Sequence, residues 1–525
     1  MKICVTYLNW ARLLITTKTQ PMKSSSFILA LMTLFIFSCK DKPKTTSKNE
    51  NATAVQKSMN TNASRFLKDE SVTAISIGIF KDGNKYTSHY GELDPNTGNT
   101  PNDSTLYEIA SVTKTMTGAL VAQAVLEGKL SLDDDIRTFL DEDYPNLEYN
   151  GTPIRIRDLL SHTSRLPGNN KGIAEIMQTI NDSTAFKFNA IEMGYSQDDF
   201  FNYLHEIKLD TLPGHIYSYS NLGANLTGHI LEQVNHKSYD NLLKDVLFDN
   251  LNMNNSKLKL TKLDSLNLAQ GYNDKRTKMP FLPLGKNLWG AEGGVKSTVP
   301  DILNYIEFQL DSTNVLAQKS HEKVYTFSDA EYMAYFWPVE NHPIHGIYYE
   351  HHGGAFGFNT FVYVYPKYNM GVVVTTNTSG AKASNVLDNV VLGLVDDLKP
   401  FGKKSITYAI EDSINTNVND GVTYYKELKE NKPEVYDFSD ENSLNSLGYR
   451  VLRSGDTQGA IKIFTLNTEE FPESSNPFDS LGEAYLEEGN YQMALKNYKK
   501  ALSLDPNATN AKEMITKIEA LVNAS

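Results

Sequence analysis

The chain has 525 residues, enough for about three domains on length alone. It carries 50 Lys+Arg against 63 Asp+Glu, a formal net charge of −13, and no Lys/Arg stripe, which excludes the electrostatic footprint of a nucleic-acid binder. Its 2 cysteines, Cys4 and Cys39, both lie near the amino terminus, so a disulfide framework, a cysteine zinc site and a thiolate nucleophile are excluded from the body of the protein.

In chain order, Lys23 precedes an apolar run, 27–37 (FILALMTLFIF), which falls short of the about 20 residues that span a bilayer. A basic start, a short apolar core and the small residue Ser38 form a secretory pattern. Ending at Ser38-Cys39-Lys40, the segment resembles a bacterial lipoprotein signal. The resemblance implies a signal segment over 1–38, with Met22 a better-placed start than Met1. It also implies lipidation of Cys39, hence a location in the bacterial cell envelope by a lipid anchor to the membrane. An ordinary cleaved signal or a simple anchor stays open. Residues 39–65, rich in Lys, Thr, Ser and Asn, are expected to form a disordered tether.

Residues 72–80 (VTAISIGIF) are β-branched and alternating, Asp82-Gly83 is a turn signal, and 85–90 can return as a second strand. Far downstream, 358–365 (FNTFVYVY) and 371–376 (GVVVTT) flank Pro366 to Asn369 and predict another hairpin. Between the pairs the periodicity is helical, over 112–127 and 221–234, and after the second pair it is helical again over 385–398, before Pro400. Strands at both ends with helices between them predict an α+β domain over 66–400.

A helical linker is expected over 401–440. Beyond it a self-match recurs every 34 residues: Leu447-Gly448 with Leu481-Gly482, Gly455 with Gly489, Ala460 with Ala494, Phe464 with Tyr498 and Pro472 with Pro506. This resembles the tetratricopeptide (TPR) repeat and implies an all-α region over 441–525, with repeats at 442–475 and 476–509 and a capping helix at 511–522. Two repeats are fewer than usual, so the stretch 408–432 is expected to supply packing surface. The region either binds a protein partner or braces the rest of the chain.

For chemistry, the chain has no P-loop, no GxGxxG after a strand and no HExxH, and His351-His352 has no companion ligands at helical spacing. Four Ser-x-x-Lys matches occur, at Ser111/Lys114, Ser256/Lys259, Ser320/Lys323 and Ser379/Lys382. On a helix such a pair shares one face, and a desolvated lysine can withdraw the serine proton. Ser111 is singled out because it opens the apolar helix, where free N–H groups can also receive an oxyanion, although a serine there can equally be a plain helix cap. Tyr219-Ser220-Asn221 opens a second helix. A tyrosine acts as base only where a cation favours its phenolate, and Lys114 can be that cation. Tyr239-Asp240-Asn241 matches the same pattern. His351-His352-Gly353-Gly354 leads into a strand whose edge can donate an oxyanion hydrogen bond, or is simply a glycine-rich turn.

Taken together these three motifs resemble the serine β-lactamase/penicillin-binding-protein superfamily, in its class C-like branch with esterases and D-amino-acid peptidases. Two flanking phrases, 156–164 (IRDLLSHTS) and 293–298 (GGVKST), add to the likeness, which covers about 70–400. It implies an antiparallel sheet flanked by helices, with Ser111 as acylated nucleophile and Lys114 and Tyr219 sharing general acid and base work. Asn221 would position lysine and substrate. His351, Gly353 and Gly354 would bind substrate, the Ser111 and Gly354 N–H groups forming the oxyanion hole. No metal and no cofactor is implied, and the substrate is a small molecule or peptide. The His-His-Gly motif replaces the Lys-Thr-Gly of antibiotic-hydrolysing members, which tilts towards esterase or peptidase activity. Arg165 stands where the family commonly has glycine, implying a change in that loop. Loops over 168–200 and 322–345 are expected to wall the pocket. The leading function is a serine hydrolase acting on an ester, amide or lactam carbonyl. The alternative is a catalytically silent penicillin-binding-like scaffold that binds cell-wall peptide or protein partners.

Overall fold

A computed structural model describes residues 48–181 and 183–524. The signal segment and Cys39 lie outside the described residues. The chain divides into two compact units that meet between Leu398 and Lys399.

The first unit is built on one antiparallel sheet. Its strands are β1 (Ala74–Lys81), β2 (Asn84–Gly91), β3 (Tyr325–Thr326), β4 (Glu331–Met333), β5 (Pro338–His342), β6 (Gly346–Ala355), β7 (Phe358–Tyr365) and β8 (Met370–Thr376). They are ordered β2-β1-β8-β7-β6-β5-β4-β3. The two hairpins expected from alternation are therefore neighbours, with Ile77 opposite Val374 and Ile79 opposite Val372. This long-range pairing closes the unit. The sheet is buried on both faces. Phe361, Tyr363 and Tyr365 of β7 face one core, while Val362 and Val364 face the other, as a period of two requires.

One face is covered by α1 (Lys48–Phe66) and α5 (Ala381–Leu398). Helix α1 corrects the expectation of a disordered tether up to residue 65. Val55, Met59, Ala63 and Phe66 recur at helical spacing and are buried against Leu387, Val391 and Leu394 of α5 and the sheet. Four apolar side chains on one stripe suffice to dock a segment whose average composition is polar. The other face packs against α2 (Val112–Leu126), α3 (Asn221–Asn235) and α4 (Val299–Leu310), among shorter helices. The two expected loops also differ from expectation. Residues 322–345 hold β3, β4 and β5, and 168–200 includes helices Ile173–Ile176 and Thr184–Gly194. The strands at 322–345 are 2, 3 and 5 residues long, too short for a periodic signal.

The second unit is helical hairpins: Ile406–Thr416 with Val418–Asn431, Glu441–Arg453 with Thr457–Glu470, and Ser475–Glu488 with Tyr491–Leu504, closed by Thr509–Ala524. The stretch expected as a helical linker is the first hairpin, and it supplies the packing surface expected of 408–432: Ile406, Ile410, Ile414, Tyr425 and Leu428 share a core with Leu447, Ala460 and Phe464. The repeat of 34 has a packing cause. A β-carbon on Gly448 would lie 2.5 Å from the Phe464 ring, and one on Gly482 would lie 3.1 Å from the Tyr498 ring. Each glycine admits the aromatic ring of its partner helix.

Candidate active site

Ser111 begins where a short strand turns abruptly into α2. Tyr107 and Glu108 pair with Ser297 and Lys296, so the GGVKST phrase anchors the approach to the serine. Ala110 then takes φ +45°, a left-handed conformation that strains a residue with a β-carbon. Ser111 caps the helix by position, yet its hydroxyl bonds no helix N–H. It is thereby left for other partners. Lys114 Nζ donates to Ser111 Oγ at 3.0 Å, and the Tyr219 hydroxyl donates to the same oxygen at 2.9 Å. Lys114 is fully buried, also donates to the Glu292 carbonyl oxygen, and lies 4.9 Å from the centre of the Tyr219 ring. The hydroxyl, amine and phenol, remote in sequence, meet at one oxygen atom.

The other Ser-x-x-Lys matches do not assemble a site. Ser256 bonds Ser297 and Asp301, and Ser320 bonds the Ala317 carbonyl. Ser379 bonds the Tyr272 carbonyl, and Lys382 pairs with Asp69. Tyr239 is buried with its hydroxyl on Thr117.

Asn221 lies on the first turn of α3, and its amide nitrogen donates to Asn169 Oδ1 at 2.8 Å. The adjacent Asn170 donates to Glu192. Neither of these acceptors was among the expected site residues. Nor was Glu292, whose carboxyl is held above its ordinary range by burial, although Lys114 beside it opposes the shift. Glu192 is raised too, first by burial and then by Glu292. A buried carboxyl next to the lysine had no sequence signal, because neither glutamate belongs to a spaced motif.

Strand β6 pairs with β5 from Gly346 to Tyr349 and with β7 from Tyr349 to Ala355, so from Glu350 to Ala355 its partner is β7 alone. Its open edge there lies against the serine. A β-carbon on Gly353 would stand 2.0 Å from the Ile109 carbonyl oxygen and 3.3 Å from Ser111 N, so any side chain at 353 would push the strand away. With Ala355 and Phe358 closing a two-residue turn, Gly354 opposite Asn359 falls in a non-hydrogen-bonded pair, and its N–H points to the open edge. His351 is buried, with Nδ1 3.0 Å from the His352 carbonyl oxygen. A carbonyl only accepts, so Nδ1 carries the proton and Nε2 presents a lone pair. Burial, helped by Lys114, pushes the His351 pKa down to about 3, so this ring is neutral at physiological pH. His352 turns the other way, bonding Asn359 at 2.9 Å and stacking on Phe361.

Arg165 takes φ +64°, the region that favours glycine, and its guanidinium grips Asp210 through two bonds of 2.8 and 2.6 Å. The substitution keeps a glycine-like backbone and adds an ion pair that holds the turn.

A family model described as Beta-lactamase matches residues 59–396, and one described as Tetratricopeptide repeat matches 480–508. Protein flp of Staphylococcus aureus is 26% identical over 357 residues, 66% of this chain and 68% of that protein. A β-lactamase of Providencia stuartii is 25% identical, over 52% of this chain and 67% of its own length. Among solved structures, a β-lactamase/D-alanine carboxypeptidase from Yersinia pestis superposes with TM-score 0.55 at 21% identity, covering 66% of this chain and 99% of that one. A class C β-lactamase gives TM-score 0.56 at 20% identity, over 68% and 99%.

Proposed function

The chain belongs to the β-lactamase family, whose homologues are serine hydrolases, and carries a TPR repeat at its C-terminal end. We propose that it is a cell-envelope serine hydrolase that works through an acyl-enzyme on Ser111. The observation that carries this reading is the convergence of Lys114 Nζ and the Tyr219 hydroxyl on Ser111 Oγ. Ser111 Oγ attacks the substrate carbonyl carbon. Its proton passes to Lys114 or Tyr219, whichever is deprotonated, and the carbonyl electron pair moves onto oxygen. The N–H groups of Ser111 and Gly354 receive that oxyanion. As the intermediate collapses, the proton goes to the leaving alcohol or amine, and water then cleaves the acyl-enzyme by the reverse proton path. Asn221 and its Asn169 partner line the substrate side.

Esterase or peptidase activity is favoured over antibiotic hydrolysis. A neutral imidazole at His351 is a poor anchor for the carboxylate of a β-lactam. The envelope location rests on the signal segment and Cys39, and the TPR helices are the part suited to a protein partner. A fluorophosphonate probe is expected to label the wild-type protein, and Ser111→Ala to abolish labelling and turnover. Labelling that survives the substitution would show that the nucleophile lies elsewhere.

A further inference from the structure

Tyr219 is delivered by irregular chain, between Pro213 and the start of α3. A side chain so placed keeps a bonding geometry only if neighbours lock the backbone that bears it. The lock is the turn that follows helix Ile156–Leu160. Gly214 N–H donates to the Thr163 carbonyl at 2.9 Å, Ser218 N–H to the His162 carbonyl at 2.7 Å, and Asn221 N–H to the Gly168 carbonyl at 2.9 Å. Among these backbone donors, Ser220 N–H is the one that goes to a side chain, His162 Nδ1, at 3.2 Å. The imidazole ring also lies 4.2 Å from the Tyr219 ring, tilted by 33°, with Phe336 at 5.2 Å and the edge of Tyr217 at 5.9 Å.

We propose that His162 is a positioning residue for Tyr219, holding the phenol at Ser111 by accepting the Ser220 N–H and by supporting the tyrosine ring. The inference rests on the reading of Ser111 as nucleophile. Three further features agree with it. Residue 162 is 1% exposed and held at φ +56°, so its ring cannot swing away without rebuilding the turn. Because Nδ1 accepts, the proton sits on Nε2, and that nitrogen is buried with no partner among the described residues. The bonded nitrogen of the ring is thus the one that accepts from Ser220. Burial, with Lys114 and His351 adding to it, keeps the imidazole neutral, so its lone pair stays available to Ser220.

The experiment compares H162F, which keeps a ring and loses the acceptor, with H162N, which keeps an acceptor, tolerates the left-handed backbone and loses the ring. Each is made in the wild-type chain and in Y219F, forming double-mutant cycles. With a nitrophenyl ester, H162F is expected to lower kcat about tenfold with KM within about twofold, and H162N to recover to within about threefold of wild type. In the Y219F chain neither change should lower kcat further. An H162F kcat within about twofold of wild type, or an equal loss in both backgrounds, overturns the proposal and leaves a merely structural histidine. If H162F fails to fold, H162G, which loses both acceptor and ring and suits the left-handed backbone, takes its place in the cycle under the same criterion. If wild-type protein is not labelled by fluorophosphonate, the hydrolase reading fails by itself. Crystal structures of H162F and wild type then decide the positioning claim: a Tyr219 hydroxyl displaced from Ser111 sustains it, and an unmoved one overturns it.

Discussion

Ser111-x-x-Lys114 and Ser320-x-x-Lys323 share a motif and differ in everything that surrounds it. Ser111 stands before the first turn of α2, and its oxygen accepts from both an amine and a phenol. Ser320 ends helix Val315–Ser320, and its hydroxyl is spent on the Ala317 carbonyl one turn back. Lys114 is fully buried against Ser111 and the Glu292 carbonyl, whereas Lys323 reaches out of the fold to lie 4.8 Å over the Tyr332 ring. A serine and a lysine three apart converge with a third polar group when the helix end leaves the hydroxyl unspent and a second segment arrives to share it. Spacing alone supplies neither condition.

The contrast can be broken most directly at the lysines. Lys114→Met is expected to lower the rate of fluorophosphonate labelling by about 10²–10⁴, the range for loss of an acid–base group, while Lys323→Met should leave it within about twofold. Equal effects would erase the distinction between the two motifs. A smaller effect concerns the charge beside the Ser111–Lys114 pair. His351→Lys puts a cation where the structure has a neutral ring, and the ratio of nitrocefin to nitrophenyl butyrate turnover should rise about tenfold, the scale of one charge-assisted hydrogen bond. An unchanged ratio would mean that residue 351 does not face the substrate.

A third effect is on stability, beside the turn that locks Tyr219. Asp158 is 4% exposed, and burial raises its pKa from 3.8 to about 6. A carboxyl raised in the fold contributes stability fully below its unfolded value and loses it as pH rises through the folded one. Wild type should therefore lose stability between about pH 4 and pH 6 through this group. Asp158→Asn, which keeps an acceptor for the Arg155 N–H, should lack that loss. Its stability relative to wild type should improve by about 1–3 kcal/mol between pH 4 and pH 8 in denaturant titrations. A difference independent of pH would mean that the carboxyl titrates normally.

Much of this was legible along the chain, for identifiable reasons. The hairpins at 72–90 and 358–376 alternate cleanly, and their strands were found within two residues. The period of 34 survives because each glycine must admit a specific ring. Four features escaped. Helix α1 hides four core residues in a polar composition, β3 to β5 are too short to show a period, and His162 sits inside the IRDLLSHTS phrase without a chemical signature of its own. Glu292 escaped similarly, because its link to Lys114 runs through a backbone carbonyl that every residue type possesses.

By itself the order of residues determined the long periodic helices and the two hairpins, where the repeats lie, and which serine, lysine and tyrosine deserved notice among several matches. These are local matters of period, turn chemistry and spacing. Only the tertiary structure decided that Ser111, Lys114 and Tyr219 share one oxygen, that His351 shows a lone pair in place of a charge, and that His162 stands behind the phenol. Those outcomes depend on which distant backbone groups a buried side chain must bond once water is removed.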